Sequence, residues 1–316
     1  MSLLVQPPAR GLVSGGYVYN ARVAAALGGR LRLVEAAEAD LPAALAARAP
    51  REVALVDSLY LAGLTAPRGD DLVLLAHAMP DGATAPVRWR AAVCPSHHAA
   101  AAVRARYPGL STTVCRPGVT RRGATPLPPV PPLELVTVAN LYPAKGHLEL
   151  VQALALLGDA RLRWTLVGDE RVDPVQARAV RSAVERAGLG ARTRWLGPVT
   201  PERVAEVLAG AHVVVHPSRR ESYGMVLAEA LALGRPAVAV DVDGVPEVVR
   251  AGVTGLLVEP GSPRALAAAL ARLLDDAGLL ERLHRGCLEL APAVPTWAEA
   301  AADLARALDA LEAQPS

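Results

Sequence analysis

The feature that most constrains the fold is an alternation of short apolar runs with longer amphipathic windows over nearly the whole chain. The apolar runs have the length of buried strands, and the windows between them have helical periodicity. Strands that alternate with helices favour an α/β fold with parallel sheets, because a parallel crossover needs a connection about as long as a helix. Twelve strands are predicted in this way, at 3–6, 31–35, 53–56, 72–77, 91–96, 112–117, 133–140, 163–168, 193–197, 211–217, 236–241 and 254–259.

Helical windows separate most of these runs. In the first part of the chain they lie at about 17–28, 41–48 and 97–107. The tail from residue 262 onward is also predicted to be helical, with a break at 291–296.

One proline-rich segment, "RRGATPLPPVPP" at 121–132, interrupts the alternation. Proline has a fixed φ and no backbone N–H, so this segment is predicted to be a semi-rigid linker. The length of 316 residues allows about two domains. We expect one Rossmann-like domain at 1–120, a second at 133–290, and a C-terminal helix at 291–316 that packs back on the first.

Composition and charge exclude several classes of function. The net charge is only +2 and no basic stripe is present, so nucleic-acid binding is not expected. No window approaches 18 uncharged apolar residues, and the N-terminus lacks a basic signal-peptide region, so neither a membrane span nor a signal peptide is predicted. Cys94, Cys115 and Cys287 have no metal-binding spacing, and the strand-like apolar runs around Cys94 and Cys115 indicate buried thiols in a reducing cytoplasm.

The stretch "VVVHPSRRESYGMVLAEALALGRPAVAVDVDGVPEVV" (213–249) carries the strongest chemical signal. A helix that begins near Tyr223 would direct its first backbone N–H groups at an anion, a role assigned here to Gly224, Met225 and Val226. Glu221 lies just outside that helix end and Glu229 two turns inside. Phosphate would repel both carboxylates, but hydroxyls on either side of a diphosphate would donate to them. A diphosphate flanked by hydroxyls describes a nucleotide sugar.

The segment "ESYGMVLAE" resembles the E-x7-E motif of retaining GT-B glycosyltransferases of family 4, the group 1 glycosyl transferases. The resemblance covers the whole second half and extends more weakly into the first. It implies an α/β GT-B fold, with two Rossmann-like domains whose parallel sheets face each other across a cleft. The first domain would be the acceptor side and the second would bind the nucleotide sugar. It also implies that Glu229 binds the ribose and that Glu221 orients the donor sugar.

Two further segments of the second half are similar to that family. "VANLYPAKGHLELVQAL" (138–154) resembles its diphosphate-binding loop, which implies Lys145 as the phosphate cation and Gly146 as a point of close backbone approach. The family often has arginine at the position of Asn140, and asparagine supplies donors without charge. Arg219 or Arg220 is a possible substitute for that charge. Val199, in the loop "LGPVT", is the candidate wall beside the base.

The first half supplies two more candidates. "SGGYVYNARVA" (14–24) follows the first strand, and Gly15 and Gly16 would let the backbone pass close to the substrates. It is not a G-x-G-x-x-G, so no nicotinamide cofactor is indicated. His77 ends the strand "LLAH" and is predicted to donate a hydrogen bond to sugar or acceptor.

No metal and no cofactor are expected. "DVD" (241–243) matches the D-x-D with which GT-A enzymes hold a divalent cation. It lies, however, where the GT-B pattern commonly reads Asp-x-Gly-Gly. Two carboxylates do not make a Mg²⁺ site without substrate phosphates in reach.

The sequence therefore predicts a retaining hexosyltransferase that uses a nucleoside-diphosphate sugar, UDP-linked first and GDP-linked second, and a small or terminal hydroxyl acceptor. The acceptor's identity and peripheral membrane association stay open. Two alternatives remain: a nucleotide-sugar epimerase or phosphorylase on the same fold, and a non-catalytic partner protein. The second should have lost Glu221, Glu229 and Lys145, which this chain retains.

Overall fold

The computed structural model describes residues 1–49, 52–61, 72–79 and 88–313. The chain divides into two compact units, one of residues 1–118 with 295–316 and the other of residues 119–294. Each unit is built on its own six-stranded parallel sheet, which confirms the α/β class and the parallel pairing predicted from the alternation.

The sheet of the first unit is covered on both faces. Its strands are β1 Ser2–Gln6, β2 Leu31–Glu35, β3 Ala54–Asp57, β4 Leu72–Leu75, β5 Ala91–Cys94 and β6 Thr112–Val114, in the spatial order β2-β1-β3-β4-β5-β6. Successive residues point to opposite faces, so that Leu3 and Val5 enter one apolar core and Leu4 the other. Burial of both faces explains why the central strands are continuous apolar runs. Among the described residues before the second unit, the helices of this unit are α1 Gly15–Leu27, α2 Leu41–Ala46 and α3 His97–Arg106.

The second unit repeats this plan. Its strands are β7 Leu133–Val138, β8 Leu162–Val167, β9 Thr193–Gly197, β10 Val213–His216, β11 Ala237–Val240 and β12 Gly255–Val258, in the order β12-β11-β10-β7-β8-β9. Its helices are α4 His147–Leu157, α5 Pro174–Arg186, α6 Pro201–Ala209, α7 Met225–Ala232, α8 Pro263–Asp275 and α9 Ala277–Leu290. All twelve predicted strands are therefore present, with bounds that differ by a few residues.

Each sheet has a point where the strand order reverses. In the first unit this point lies between β1 and β3, and in the second between β7 and β10. The loops that follow two such strands leave in opposite directions and open a crevice at the carboxyl edge of the sheet. Both crevices carry the polar residues described below.

The segment 121–132, predicted as a linker, is anchored within the second unit. Arg235 is 1% exposed, and its guanidinium donates to the Pro126 carbonyl at 2.9 Å and to the hydroxyl of Thr125. The ring of His212 contacts the Pro128 carbonyl at 2.9 Å. The boundary of the unit accordingly falls at 118/119 rather than at the end of the prolines.

The last helix, α10 Trp297–Glu312, belongs to the first unit, where it packs against α1. Trp297 lies edge-on to Tyr19, with ring centroids 6.4 Å apart. Thr296 and Glu299 form a reciprocal capping box at its start. Among the helices of the described residues, none is both long and apolar enough to cross a membrane.

Candidate active site

The predicted residues of the second unit collect at the carboxyl edge of its sheet, because each follows the end of a parallel strand. Asn140 follows β7, Val199 follows β9, and Glu221 follows β10. The loop after β7 and the loop after β10, on either side of the reversal point, are joined by a hydrogen bond from the Arg219 amide to the Ala144 carbonyl at 2.8 Å.

The centre of this edge is a three-residue cluster on one oxygen. Lys145 Nζ donates to Oε2 of Glu221 at 2.8 Å, and His216 Nε2 donates to the same oxygen at 3.1 Å. The side chains of Lys145 and Glu221 are each 17% exposed, so the ion pair is largely screened from solvent. The structure thus brings together two predicted residues, and it adds a third, His216, which the sequence analysis did not assign to the site.

The electrostatics of the cluster favour both charges. Burial alone would raise the pKa of Glu221, but Lys145 and His216 outweigh it and hold the pKa of this carboxyl far below its usual range. Burial alone would lower the pKa of Lys145, but Glu221 outweighs it and the pKa of the ammonium is raised. The site is therefore a preformed, charged pair at neutral pH.

Two properties of the Lys145 loop restrict which residues it can contain. Gly146 has φ +68°, and a Cβ added there would lie 1.9 Å from the carbonyl oxygen of Pro217. Glycine is therefore required by both conformation and space. Lys145 is the only lysine among the 33 lysines and arginines of the chain. The composition supplies arginine everywhere else, which indicates that this position requires the compact ammonium group.

The helix end next to the cluster differs from its predicted position. Gly224 has φ +92°, a left-handed conformation that does not continue into a right-handed helix, so α7 begins at Met225 and not near Tyr223. Glu229 consequently lies about one turn inside the helix instead of two. The N-cap residue is Gly224, which has no side chain that could cap the helix, and the first turn contains no acidic residue. The backbone N–H groups of Met225 and Val226 are at the helix start, as an anion site requires.

Asp243 has a role that the sequence analysis did not assign to it. It has φ +48°, and its Oδ2 accepts a hydrogen bond from the backbone N–H of Glu221 at 2.9 Å. The Gly244 N–H donates in turn to the Glu221 carbonyl at 2.9 Å. The turn after β11 therefore fixes the backbone that carries Glu221. Across the described part of the chain, no group of three or more His, Cys, Asp or Glu side chains is arranged to hold a metal ion.

Asn140, Arg219 and Arg220 have partners within the second unit. The Asn140 side-chain oxygen accepts from the Asp169 N–H at 3.0 Å and joins the loops after β7 and β8. Arg219 pairs with Glu149 at the start of α4, and Arg220 lies 3.9 Å from Asp243. Val199 is half-buried in the loop between β9 and α6. The diphosphate and base contacts assigned to these residues stay predictions.

In the first unit the structure brings His77 and Gly16 together. Gly15 and Gly16 are the first two residues of α1. A Cβ added at Gly16 would lie 3.2 Å from Cδ2 of His77, so the absence of a side chain admits the imidazole ring. His77 Nε2 lies 2.7 Å from Oδ1 of Asn20, a buried residue of α1. Burial lowers the pKa of His77, and the nearby Asp57 carboxylate offsets part of that effect.

A family model matches part of the second unit. Residues 132–276 match the family model described as Glycosyl transferases group 1. The match lies within the second unit and includes Lys145, His216, Glu221 and Glu229.

Curated relatives match over somewhat more than half of the chain. D-inositol 3-phosphate glycosyltransferase of Corynebacterium glutamicum is 38% identical over 171 residues, which are 53% of this chain and 41% of that protein. The protein of the same name from Acidothermus cellulolyticus is 33% identical over 197 residues, 59% of this chain and 43% of that protein. The chain thus spans about two fifths of the length of these relatives.

Solved structures match over nearly the full length. HepE of Anabaena in complex with UDP and glucose covers 98% of this chain and 99% of its own, with a TM-score of 0.78 and 18% identity. Sucrose-phosphate synthase of Thermosynechococcus elongatus covers 98% of each chain, with a TM-score of 0.76 and 19% identity. The fold is GT-B.

Proposed function

We propose that the chain is a retaining glycosyltransferase that moves a hexose from a nucleoside-diphosphate sugar to a hydroxyl acceptor. The observation that carries this proposal is the charged Lys145–Glu221 pair beside the start of α7, whose N-cap residue is glycine. A cation and a helix N-terminus suit a diphosphate, and a carboxylate held next to them suits the hydroxyls of the attached sugar.

The proposed roles follow from charge and position. Lys145 has three N–H donors, so it can keep Glu221 and also contact a phosphate oxygen. The start of α7 supplies backbone donors to the second phosphate. Glu221 accepts from sugar hydroxyls, with His216 and Asp243 holding its side chain and its backbone. Glu229, about one turn inside α7, accepts from the ribose hydroxyls.

In the proposed transfer step the diphosphate is both the leaving group and the proton acceptor. The acceptor oxygen forms a bond to the anomeric carbon on the face from which the nucleotide leaves, and the bond from that carbon to the phosphate oxygen breaks. The acceptor proton passes to the leaving phosphate. Preorganised positive charge at Lys145 and the helix end stabilises the departing diphosphate without a protein nucleophile or a metal ion.

UDP is the first choice for the donor nucleotide, because HepE, which shares the fold, is described in complex with UDP and with UDP-glucose. The acceptor is proposed only as a small or terminal hydroxyl compound. The relatives' name specifies D-inositol 3-phosphate, but the chain spans only about two fifths of their length, so this acceptor is not carried over to it.

The test is a thermal-shift panel of UDP, GDP, ADP and dTDP with their common sugar conjugates. It uses wild type, Glu229→Ala and, as a matched control, Glu281→Ala on the exposed face of α9. A ligand at ~100 times its Kd adds about 2.7 kcal/mol of stability. We expect one diphosphate family to stabilise wild type and the control, with a much smaller response in Glu229→Ala. No response to any nucleotide at millimolar concentration would overturn the proposal and favour a non-catalytic protein.

A further inference from the structure

A buried chain of amide side chains leads to His77 at the carboxyl edge of the first sheet. Gln6 ends β1, Glu35 ends β2 and Asp57 ends β3, while Asn20 approaches them from α1. Gln6, Asn20 and Asp57 are each 3% exposed or less. These side chains lie at the point where the strand order of the sheet reverses, which is where this fold class binds its ligands.

The two carboxylates determine which way each amide points. The amide nitrogen of Gln6 donates to Glu35 Oε1 at 3.1 Å, so its oxygen faces Asn20. The amide nitrogen of Asn20 then donates to Gln6 Oε1 at 2.8 Å and to Asp57 Oδ2 at 2.9 Å. An ionised carboxylate accepts only, and an amide carries its donors on one atom, so the reversed orientation would set acceptor against acceptor at Asp57.

This orientation determines the protonation of one ring nitrogen of His77. The atom that Asn20 presents to the imidazole is Oδ1, an acceptor, at 2.7 Å from Nε2. Nε2 must therefore carry a proton. Asp57 Oδ2 is 3.9 Å from the same nitrogen, too far for a direct hydrogen bond, so Asn20 mediates between them. Tyr19 packs edge-on to the ring at 5.1 Å and, with the close approach of Gly16, holds it in place.

We propose that Asn20, oriented by Gln6 and Asp57, is a positioning residue that holds His77 as the neutral tautomer protonated on Nε2. The remaining nitrogen, Nδ1, is then a hydrogen-bond acceptor. Any substrate hydroxyl that meets this nitrogen donates to it, which reverses the donor role expected for His77 from the sequence. That consequence for the substrate rests on the proposed function, whereas the tautomer does not.

Several features of the cluster support the neutral form. The ring is shielded from solvent, its side chain being 11% exposed, and burial lowers the pKa of His77. Asp57 opposes that effect, but its Oδ2 is already bound by Asn20. Burial has the larger effect, so the pKa of His77 is lowered overall.

The experiment is long-range ¹H–¹⁵N NMR of protein labelled with ¹⁵N-histidine, in the absence of ligand, with His77 assigned by His77→Gln. In wild type we expect the Nε2 shift of a protonated nitrogen and the Nδ1 shift of an unprotonated one. Asn20→Leu removes the amide and should move the two shifts toward each other, as both tautomers become populated. Gln6→Met removes only the residue that orients Asn20 and should give a smaller change in the same direction.

A proton on Nδ1 in wild type, or an imidazolium at neutral pH, would overturn the proposal. So would unchanged shifts in a folded Asn20→Leu protein. If Asn20→Leu fails to fold, the wild-type tautomer and the Gln6→Met spectrum still decide the question. Because no substrate is present, a correct tautomer combined with no response in the nucleotide panel would refute the proposed function alone.

Discussion

At the scale of residues, the candidate site of the second unit is centred on one carboxylate oxygen that accepts two hydrogen bonds. Oε2 of Glu221 is shared by Lys145 and His216, at 2.8 and 3.1 Å, in a place largely screened from water. A buried charge pair is stable only when its hydrogen bonds are well formed, and removing one partner leaves the other uncompensated. The site's charge and its geometry therefore depend on the same few atoms.

Replacing Lys145 by arginine tests why the chain's single lysine is found here. The guanidinium keeps the charge but is planar and larger, so it should displace Glu221 or Tyr142, whose ring centroid lies 5.8 Å from the ammonium. We expect Lys145→Arg to weaken diphosphate binding by about tenfold or more, roughly 1.4 kcal/mol, measured by calorimetry. The control is Arg163→Lys, an exposed residue near the start of β8, which should bind as wild type does. Equal affinity of Lys145→Arg and wild type would show that only charge matters at this position.

At the scale of elements, the loops at the strand ends are held by close backbone approach. Gly146, between β7 and α4, combines a positive φ with contact against Pro217 of the neighbouring loop. Gly158, at the other end of α4, also has a positive φ (+61°), but its added Cβ would meet nothing closer than 3.9 Å. This pair separates conformational strain from steric contact.

We expect Gly158→Ala to cost about 1–2 kcal/mol of unfolding free energy from the left-handed conformation alone. Gly146→Ala should cost at least ~2 kcal/mol more than that, because the loop after β10 must also move. Urea denaturation of the two variants measures both values. Equal losses would mean that the two loops separate without cost, which contradicts the close approach.

His147, the first residue of α4, makes the stability of the second unit depend on pH. Its ring is fully buried, and burial, with Lys145 nearby, lowers the pKa of His147 from 6.5 to about 4. A lowered pKa means that the unfolded chain binds a proton that the folded protein does not, so stability is lost as pH falls from about 6.5 to 4.

The expected loss is on the order of 2–3 kcal/mol over that range. His147→Leu removes this titrating group, so the variant should lose less stability than wild type between pH 7 and pH 4.5 in urea denaturation. The exposed His97→Leu variant is the control and should follow wild type. Identical pH profiles for His147→Leu and wild type would show that His147 is not the titrating group.

The sequence was sufficient to predict the strands and helices, but not the residues that hold Glu221, Lys145 and His77 in place. Apolar runs and helical periodicity predict all twelve strands, because a parallel strand buried on both faces must be apolar along its length. Glu221 and Lys145 were found through their motifs. His216 and Asp243 were not assigned, since their roles depend on which loops meet after folding. Asn20 gave no signal, because a polar residue inside a helical window looks the same whether it faces solvent or a buried network.

At the scale of the whole molecule, the chain passes between its two units twice, at 118/119 and 294/295. Next to both crossing points, the backbone makes close contacts or hydrogen bonds within its own unit. A Cβ on Gly118 would lie 2.5 Å from the Thr296 backbone, and Arg121 donates to the Pro292 carbonyl at 2.9 Å. The proline-rich segment beyond the first passage is anchored by Arg235.

Arg235→Met should release that segment. Methionine fills similar space but donates no hydrogen bond, which leaves the acceptors at Pro126 and Ala209 without the guanidinium. Each unsatisfied buried acceptor costs ~1–3 kcal/mol. We therefore expect faster tryptic cleavage after Arg121 and Arg122 in the variant than in wild type. Arg203→Met, on the exposed face of α6, is the control. Cleavage at the wild-type rate would show that the segment is held by its prolines alone.

The central claim, that Lys145 binds the donor diphosphate, has a direct measurement because the chain has one lysine. Labelling with an amine-reactive reagent, followed by mass spectrometry, reports on Lys145 with the α-amino group as internal reference. A saturating diphosphate of the family found in the thermal-shift panel should slow labelling of Lys145 on the order of tenfold or more and leave the α-amino rate unchanged. Glu229→Ala should lose the protection at the same nucleotide concentration. Unchanged Lys145 labelling in the presence of a nucleotide that stabilises the protein would contradict the account and place the donor elsewhere.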